Sequence, residues 1–77
     1  MNPETKARLE NVVAAATTEQ IIGFADNFAG AAGWSWESID EARAFVLGTI
    51  EQSMIEDGPD GPCPDVETAA ALLGVTL

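Results

Sequence analysis

The densest group of chemically capable side chains lies between Glu51 and Glu67, where six carboxylates occur and no basic residue follows Arg43. Carboxylates at this density can ligate a metal ion, act as general acids or bases, or pair with Lys and Arg of another protein. The six are Glu51, Glu56, Asp57, Asp60, Asp65 and Glu67. Because the sequence places no cation near them, we assign all six as candidate partner-binding residues.

The same stretch resembles the calcium loop of an EF-hand, with Glu56 at its first position, Asp60 at its fifth and Glu67 at its twelfth. The resemblance implies a helix on each side and a bound calcium ion. However, Gly58 at the third position has no side-chain oxygen, and prolines occupy three further positions of the loop. We therefore predict solvated acidic turns, no metal ligands and no cofactor.

Catalysis has little support among the remaining reactive residues. Cys63 lies between two prolines in the acidic stretch, where negative charges raise the pKa of a thiol and weaken it as a nucleophile. The chain contains no His that could activate it. Asp57 with Asp60 or Asp65 could form a carboxylate pair, but 77 residues can scarcely enclose a substrate cleft. We predict no catalytic residues and no enzymatic activity.

The composition excludes several classes of partner. Thirteen Asp and Glu against three Lys and Arg give a formal charge of −10, which argues against direct binding to nucleic acid or to an anionic membrane. Hydrophobic residues make up 47% of the chain, so it has the apolar surface needed to fold. With one Cys, no long apolar run and no secretory leader pattern, we expect a soluble cytoplasmic protein.

Helical spacing dominates the first half of the chain. Asn2 before Pro3 predicts the cap of a first helix, whose apolar stripe is Leu9, Val12, Val13 and Ala16. We assign Thr18 as the cap of a second helix. Its apolar residues are Ile21, Ile22, Phe24, Ala25, Phe28, Ala29 and Ala32. Gly30 and Gly33 predict its end, and Gly23 within it indicates either close packing or a bend.

The second half predicts one long helix, a loop and one short helix. Ser35 and Ser38 compete as the cap of the long helix, which should end near Asp57. Its main apolar face is Ile39, Ala42, Phe45, Val46, Ile50 and Met54, and Leu47 lies off that face and indicates a second contact. We expect no regular structure in the Pro- and Gly-rich segment 58–64.

Asp65 caps the short last helix, whose stripe is Val66, Ala69, Ala70 and Leu73 before Gly74. The predicted fold is all-α: a single small helical domain over residues 1–77. It contains three main helices and a short C-terminal helix after the loop.

Two short motifs resemble known helical families. Residues 37–40 (Glu-Ser-Ile-Asp) resemble the Asp-Ser-Leu core of acyl and peptidyl carrier proteins, which implies phosphopantetheine on Ser38. Glu37 replaces the Asp of that motif, and the chain divides near Thr17 where carriers have one helix, so a carrier-like domain ranks third among the functions considered.

Residues 65–76 are similar to the first helix and turn of a helix-turn-helix domain. No recognition helix follows in this sequence, so we expect no direct binding to DNA.

Trp34 and Trp36 complete the set of candidate partner-binding residues. An extended backbone would place both side chains on one surface, whereas a helix would make them diverge. Because exposed Trp is favoured as an anchor in protein interfaces, we expect one of them to face a partner.

These features favour a small acidic inhibitor or adaptor that binds a basic surface of another protein. Its carboxylates could imitate a DNA phosphate backbone and block a nucleic-acid-binding host enzyme or defence complex. Phage and mobile-element proteins directed against restriction or CRISPR systems are similar in size and charge. The alternative is a homo-oligomer, with a homodimer as its simplest form, held by apolar contacts that include Leu47.

The crowded negative charges also lead to an expectation about pH. Mutual repulsion should raise carboxyl pKa values on average in the folded state, and the melting temperature in low salt should then be higher at pH 5 than at pH 8.

Overall fold

The protein folds into four α-helices joined by short connections, and the computed structural model describes residues 2–77. In chain order the elements are α1 (Pro3–Ala15), α2 (Thr18–Phe28), α3 (Ile39–Glu56), a 3-10 turn (Gly58–Asp60) and α4 (Val66–Leu73). Within this described part of the chain there is no β-strand. The predicted all-α fold, with three main helices and a short fourth, is confirmed.

The start of α1 follows the predicted capping pattern. The Asn2 side-chain oxygen accepts a hydrogen bond from the backbone N–H of Thr5 at 2.8 Å, and Pro3 occupies the first helical position. The predicted stripe of four apolar residues, Leu9, Val12, Val13 and Ala16, is buried. The 3.6-residue period therefore identified the inward face of α1 correctly.

The cap of α2 is Thr17, so the assignment to Thr18 is wrong by one residue. The Thr17 hydroxyl accepts from the N–H of Gln20 at 3.1 Å, and the Gln20 side chain accepts from the Thr17 N–H at 2.8 Å. Thr18 has no Gln or Glu three residues later, whereas Thr17 does, and this reciprocal capping box selects it.

The end of α2 turns sharply through Gly30, whose φ of 69° lies in the left-handed region. The N–H of Ala31 then donates to the carbonyl of Ala25 at 3.0 Å, and Ala31 is fully buried. Ala31 therefore takes the core position that we expected for Ala32, which is exposed because the helix has already ended.

For α3 the structure selects Ser38 as the cap: its hydroxyl accepts from the N–H of Glu41 at 3.3 Å. The Glu41 carboxylate reaches one residue further back than a standard capping box and accepts from the N–H of Glu37 at 3.1 Å. The helix ends at Glu56, as expected.

The segment after α3 contains one turn of 3-10 helix, which corrects our expectation of no regular structure there. Pro59 fits the start of a helical turn because its fixed φ suits that position and its missing N–H is not needed. The N–H of Gly61 closes the turn on the carbonyl of Gly58 at 3.2 Å. Cys63 is buried and attaches the rest of the segment to the core.

The last helix agrees with its prediction. Asp65 accepts a hydrogen bond from the N–H of Thr68 at 2.7 Å, and Gly74 ends α4 with a φ of 88°. The Gln20 side chain donates to the carbonyl of Gly74 at 2.8 Å, so the start of α2 is tied to the end of α4.

One hydrophobic core unites the four helices. α1 and α2 each pack against both α3 and α4, so the four helices alternate around the core. The radius of gyration is 11.5 Å, close to the roughly 11.5 Å expected for one globular unit of this length. The fully or nearly fully buried residues are Leu9, Val12, Val13, Ala16, Ile21, Phe24, Ala25, Ala31, Ala42, Val46, Ile50, Cys63, Val66, Ala69, Ala70 and Leu73.

Three expectations about apolar contacts change. Leu47 is partly buried against the protein's own core, so only part of its side chain is available for the second contact that we expected. Phe28 was placed on the buried face of α2, but it is 56% exposed because the helix ends at this residue. A methyl group added at Gly23 would meet nothing within 4 Å, so this glycine permits no close helix packing within the protein.

Candidate partner-binding surface

Three of the predicted carboxylates lie together where α3 ends and the 3-10 turn begins. Glu56, Asp57 and Asp60 are exposed, whereas Glu51, one turn earlier on α3, is partly buried. We call the trio Glu56, Asp57 and Asp60 the acidic end of α3. Two of these carboxylates accept hydrogen bonds from uncharged side chains: Gln52 donates to Glu56 at 2.6 Å, and Ser53 donates to Asp57 at 3.3 Å.

Glu56, in the last turn of α3, and Asp57, its C-cap, stand where negative charge is unfavourable, and Asp60 follows in the 3-10 turn. The carbonyl groups at a helix C-terminus carry a partial negative charge, and an exposed carboxylate there costs about 0.3–1 kcal/mol at low ionic strength. The last turn of α3 contains no basic residue to offset it. By contrast, Glu4, Glu19, Asp40 and Glu41 lie in first turns, where the helix dipole stabilises them. Helix stability therefore explains those four and does not explain Glu56 and Asp57.

Asp65 and Glu67, the other two predicted residues of the acidic stretch, have structural partners. Hydrogen bonds from the side chain and backbone N–H of Thr68 hold the pKa of Asp65 below its usual value. Glu67 forms an ion pair with Arg8 of α1, and the hydrogen bond from Arg8 is the main cause of its lowered pKa. The premise that this stretch has no compensating cation is therefore wrong at Glu67. Both shifts are opposite in direction to the rise that we expected, on average, from crowding.

Arg43, a second cationic side chain, binds the C-terminal end of α1. Its guanidinium donates to the carbonyl of Val13 at 2.6 Å and lies 3.5 Å from that of Ala14, at the C-terminal end of α1. A positive charge is favourable there because it pairs with the negative end of the helix dipole. Arg8 and Arg43 thus both stabilise contacts between helices, and neither neutralises the acidic end of α3.

Trp34, Trp36 and Phe45 form an aromatic cluster at the other end of α3. The ring centroids lie 5.8 Å apart for the two tryptophans, and Phe45 lies 5.2 Å from Trp34 and 5.3 Å from Trp36. The backbone between the tryptophans is not helical, so both rings lie on one side, as the extended alternative predicted. Trp34 is the exposed member, at 56%, and Trp36 is partly buried.

The indole N–H of Trp36 is buried and has no hydrogen-bond acceptor within residues 2–77. A buried donor without a partner costs about 1–3 kcal/mol. The aromatic cluster is therefore a second part of this surface that the stability of the isolated protein does not account for.

A shallow groove of about 590 Å³ connects these two features along the outer face of α3. We call it the α3 groove. Its lining residues are Ala44, Phe45, Gly48, Thr49, Gln52, Ser53, Glu56 and Asp57. Phe45 belongs to the aromatic cluster and Glu56 and Asp57 to the acidic end, so the groove is aromatic at one end and negatively charged at the other.

Gly48 lies near the middle of the α3 groove. A methyl group added there would meet nothing within 4 Å, and Gly within a helix costs about 1 kcal/mol relative to Ala. From the sequence alone, Gly48, Gln20 and Arg43 were assigned no role. The only available signal for Gly48 was a glycine inside a strongly helical pattern.

Cys63 and Ser38 have structural roles in this fold. Burial raises the pKa of the Cys63 thiol, so the predicted direction agrees, but the cause is burial and not neighbouring carboxylates. Ser38 is exposed, and its hydroxyl caps α3. α1 and α2 are separate helices where carrier proteins have one.

No group of three or more His, Cys, Asp or Glu side chains within residues 2–77 is arranged to hold a metal ion. None of the helices in this part of the chain combines the length and the apolar composition needed to cross a bilayer.

No protein-family model matches the chain, and searches of curated proteins and of solved structures likewise found no significant match.

Proposed function

We propose that this protein is a non-enzymatic binding module that recognises a basic surface of another protein through the acidic end of α3. The observation that supports the proposal most strongly is the position of Glu56, Asp57 and Asp60. All three are exposed, Glu56 and Asp57 lie at the C-terminal end of α3, which disfavours negative charge, and no Lys or Arg of residues 2–77 forms an ion pair with any of the three. Charges retained where they reduce stability are expected at functional sites.

The remaining predicted residues divide between the site and the scaffold. Trp34 lies at the aromatic end of the same face and belongs to the proposed site with Trp36. Asp65 and Glu67 support α4 and its contact with α1. Glu51 is partly buried and adds to the negative potential of α3 without being a main contact.

A test of this proposal compares two variants of equal charge. The first carries Glu56→Gln, Asp57→Asn and Asp60→Asn; the second carries Glu10→Gln, Asp26→Asn and Glu37→Gln at exposed positions elsewhere. Each changes the formal charge from −10 to −7. The wild type and both variants are immobilised, bacterial lysate is passed over them, and the retained proteins are eluted with salt.

We expect the wild type and the second variant to retain the same basic protein, and the first variant to lose it. Rising salt should release that protein, because exposed charges are screened. Equal retention by both variants would contradict the proposal. Elution by added DNA would identify the partner's surface as one that binds nucleic acid, the case in which the carboxylates act as a phosphate mimic.

Self-association through aromatic contacts is the second candidate function. It is favoured by Phe28 and Trp34, each 56% exposed although large and apolar. Sedimentation at increasing protein concentration distinguishes it: an apolar dimer should persist at high salt and should be weakened by Trp34→Ala. It should not respond to Asp60→Asn.

A further inference from the structure

We propose that the α3 groove binds a helical segment of the partner that has an apolar face and carries Lys or Arg at one end. This inference rests on the proposed function, because it specifies the partner's chemistry at the same surface. It assigns a site to residues Ala44–Asp57, and the occupant it commits to is an amphipathic basic helix.

The length of the groove suits a helix of about four turns. Residues Ala44 to Asp57 extend for about 20 Å along the helix axis at 1.5 Å per residue, which matches a partner segment of about 13 residues. Helix-in-groove recognition uses apolar anchors spaced along one face of such a segment.

The middle of the groove permits close approach of a second backbone. Gly48 has no side chain, and the position of its absent Cβ is open. Ala44 and Thr49, which also line this part, are small. A bound helix would therefore contact short side chains at the centre of the groove and the exposed indole of Trp34 at one end.

The two ends of the groove determine the chemistry of the occupant. At one end Phe45 and Trp34 offer aromatic surface to aliphatic side chains. At the other end Glu56 and Asp57 are exposed carboxylates that form no ion pair with a Lys or Arg of residues 2–77. Charge complementarity therefore selects Lys or Arg at that end of the occupant, and the net charge of −10 opposes an acidic one.

Phe28 extends the apolar border of the groove. Thr49 and Ser53, which line the groove, also line an adjacent cavity of about 70 Å³ together with Phe28 and Cys63. The exposed Phe28 ring thus lies beside the middle of the groove, where a bound helix could cover it.

The test uses a synthetic helical peptide as the probe. The peptide contains two repeats of Leu-Lys-Lys-Leu-Leu-Lys-Leu, about 14 residues, which places Leu on one helical face and Lys on the other. A second peptide has the same composition, rearranged so that no helical face is apolar. Binding of each to the full chain is measured by isothermal titration calorimetry at fixed ionic strength.

The decisive variant is Gly48→Leu, which places an isobutyl group in the groove without changing the charge. Gly23→Leu is its matched control, because Gly23 is also a helical glycine with open space at Cβ but does not line the groove. Gly48→Ala is a milder second variant whose methyl group has no clash within the protein. The double variant Glu56→Gln, Asp57→Asn tests the charged end.

We expect the amphipathic peptide to bind more tightly than the rearranged one. Gly48→Leu should weaken its binding about tenfold, Gly48→Ala should weaken it less, and Gly23→Leu should leave it unchanged. The double carboxylate variant should weaken binding about fivefold.

Two outcomes would overturn the inference in distinguishable ways. If both peptides bind equally and Gly48→Leu changes nothing while the carboxylate variant weakens binding, the groove inference is wrong and the proposed function stands. If the carboxylate variant also binds as the wild type does, the proposed function fails together with the inference.

Discussion

At the scale of single residues, the ion pair between Arg8 and Glu67 joins α1 to α4 and lowers the pKa of the Glu67 carboxyl. A carboxyl whose pKa is lower in the folded than in the unfolded state contributes stability above the unfolded value. That contribution is lost as the pH falls through the folded value. The same sign applies to Asp65, the cap of α4.

We therefore predict that acid destabilises the protein below about pH 4.5 and that Glu67→Gln reduces this effect. The measurement is the melting temperature between pH 7 and pH 3. In Glu67→Gln the difference between these limits should be smaller than in the wild type. Glu10→Gln, an equal change at an exposed position of α1, should behave as the wild type does; equal responses of both variants would contradict the role given to the ion pair.

Gln20 is the residue through which α2 and α4 are connected at their ends. Its side chain accepts from the Thr17 N–H and donates to the Gly74 carbonyl, both at 2.8 Å. We predict that Gln20→Ala lowers the free energy of unfolding by about 1–2 kcal/mol, measured by urea denaturation, because a cap and a hydrogen bond between helices are lost.

Gln20→Glu separates these two contributions. A glutamate retains the acceptor for the Thr17 N–H but cannot donate to the Gly74 carbonyl. It should therefore be more stable than Gln20→Ala and less stable than the wild type. A Gln20→Ala variant as stable as the wild type would show that water replaces both hydrogen bonds without loss.

At the scale of the helices, two glycines reduce stability without a packing reason. Gly23 and Gly48 lie inside α2 and α3, and a methyl group at either would meet nothing within 4 Å. We predict that Gly23→Ala and Gly48→Ala each raise the free energy of unfolding by about 0.5–1 kcal/mol, measured in urea. Gly74→Ala should lower it, because the φ of 88° disfavours any side chain.

The acidic end of α3 leads to a further stability prediction. Glu56→Gln should raise the free energy of unfolding by about 0.3–0.5 kcal/mol at low salt, because it removes a negative charge from a helix C-terminus. The gain should disappear at high salt. Glu4→Gln, at the N-terminal end of α1, should have the opposite sign, and identical effects of the two changes would contradict the dipole argument.

Helix existence and inward faces were predictable because a buried face requires a repeat near 3.6 residues. The stripes of α1 and α4, built on Leu9 and Leu73, show this directly. The caps Asn2 and Asp65 were predictable because no adjacent Ser, Thr, Asn or Asp competes with either of them. Thr17 and Thr18 are chemically identical, and the choice between them depended on Gln20.

At the scale of the whole molecule, the sequence indicated a negative surface but not its division between scaffold and site. Arg8 and Glu67 are 59 residues apart in the chain, and their pairing depends on how α1 packs against α4. Arg43 likewise reaches the end of α1 from α3. Spacing within one helix carries no information about such contacts. The sequence separated Asp65 as a helix cap, but it could not separate Glu67 from the other four carboxylates.

The aromatic residues of the proposed surface also come together only in the folded protein. Trp34 and Phe45 are 11 positions apart, and the turn through Gly30 and Gly33 brings the tryptophan segment back onto α3. A glycine such as Gly48 can be assigned to a binding surface only when the structure shows that the rest of the chain does not cover its face of the helix.

The most direct test of the proposed surface is a titration of the 15N-labelled protein with the amphipathic Lys and Leu peptide, followed by the chemical-shift changes of the backbone amides and the indole N–H groups. We expect the largest changes on residues 44–57 and on the Trp34 indole, and we expect them to diminish as salt is raised. Changes centred on α1 and α4, or spread evenly over all exposed carboxylates, would contradict it.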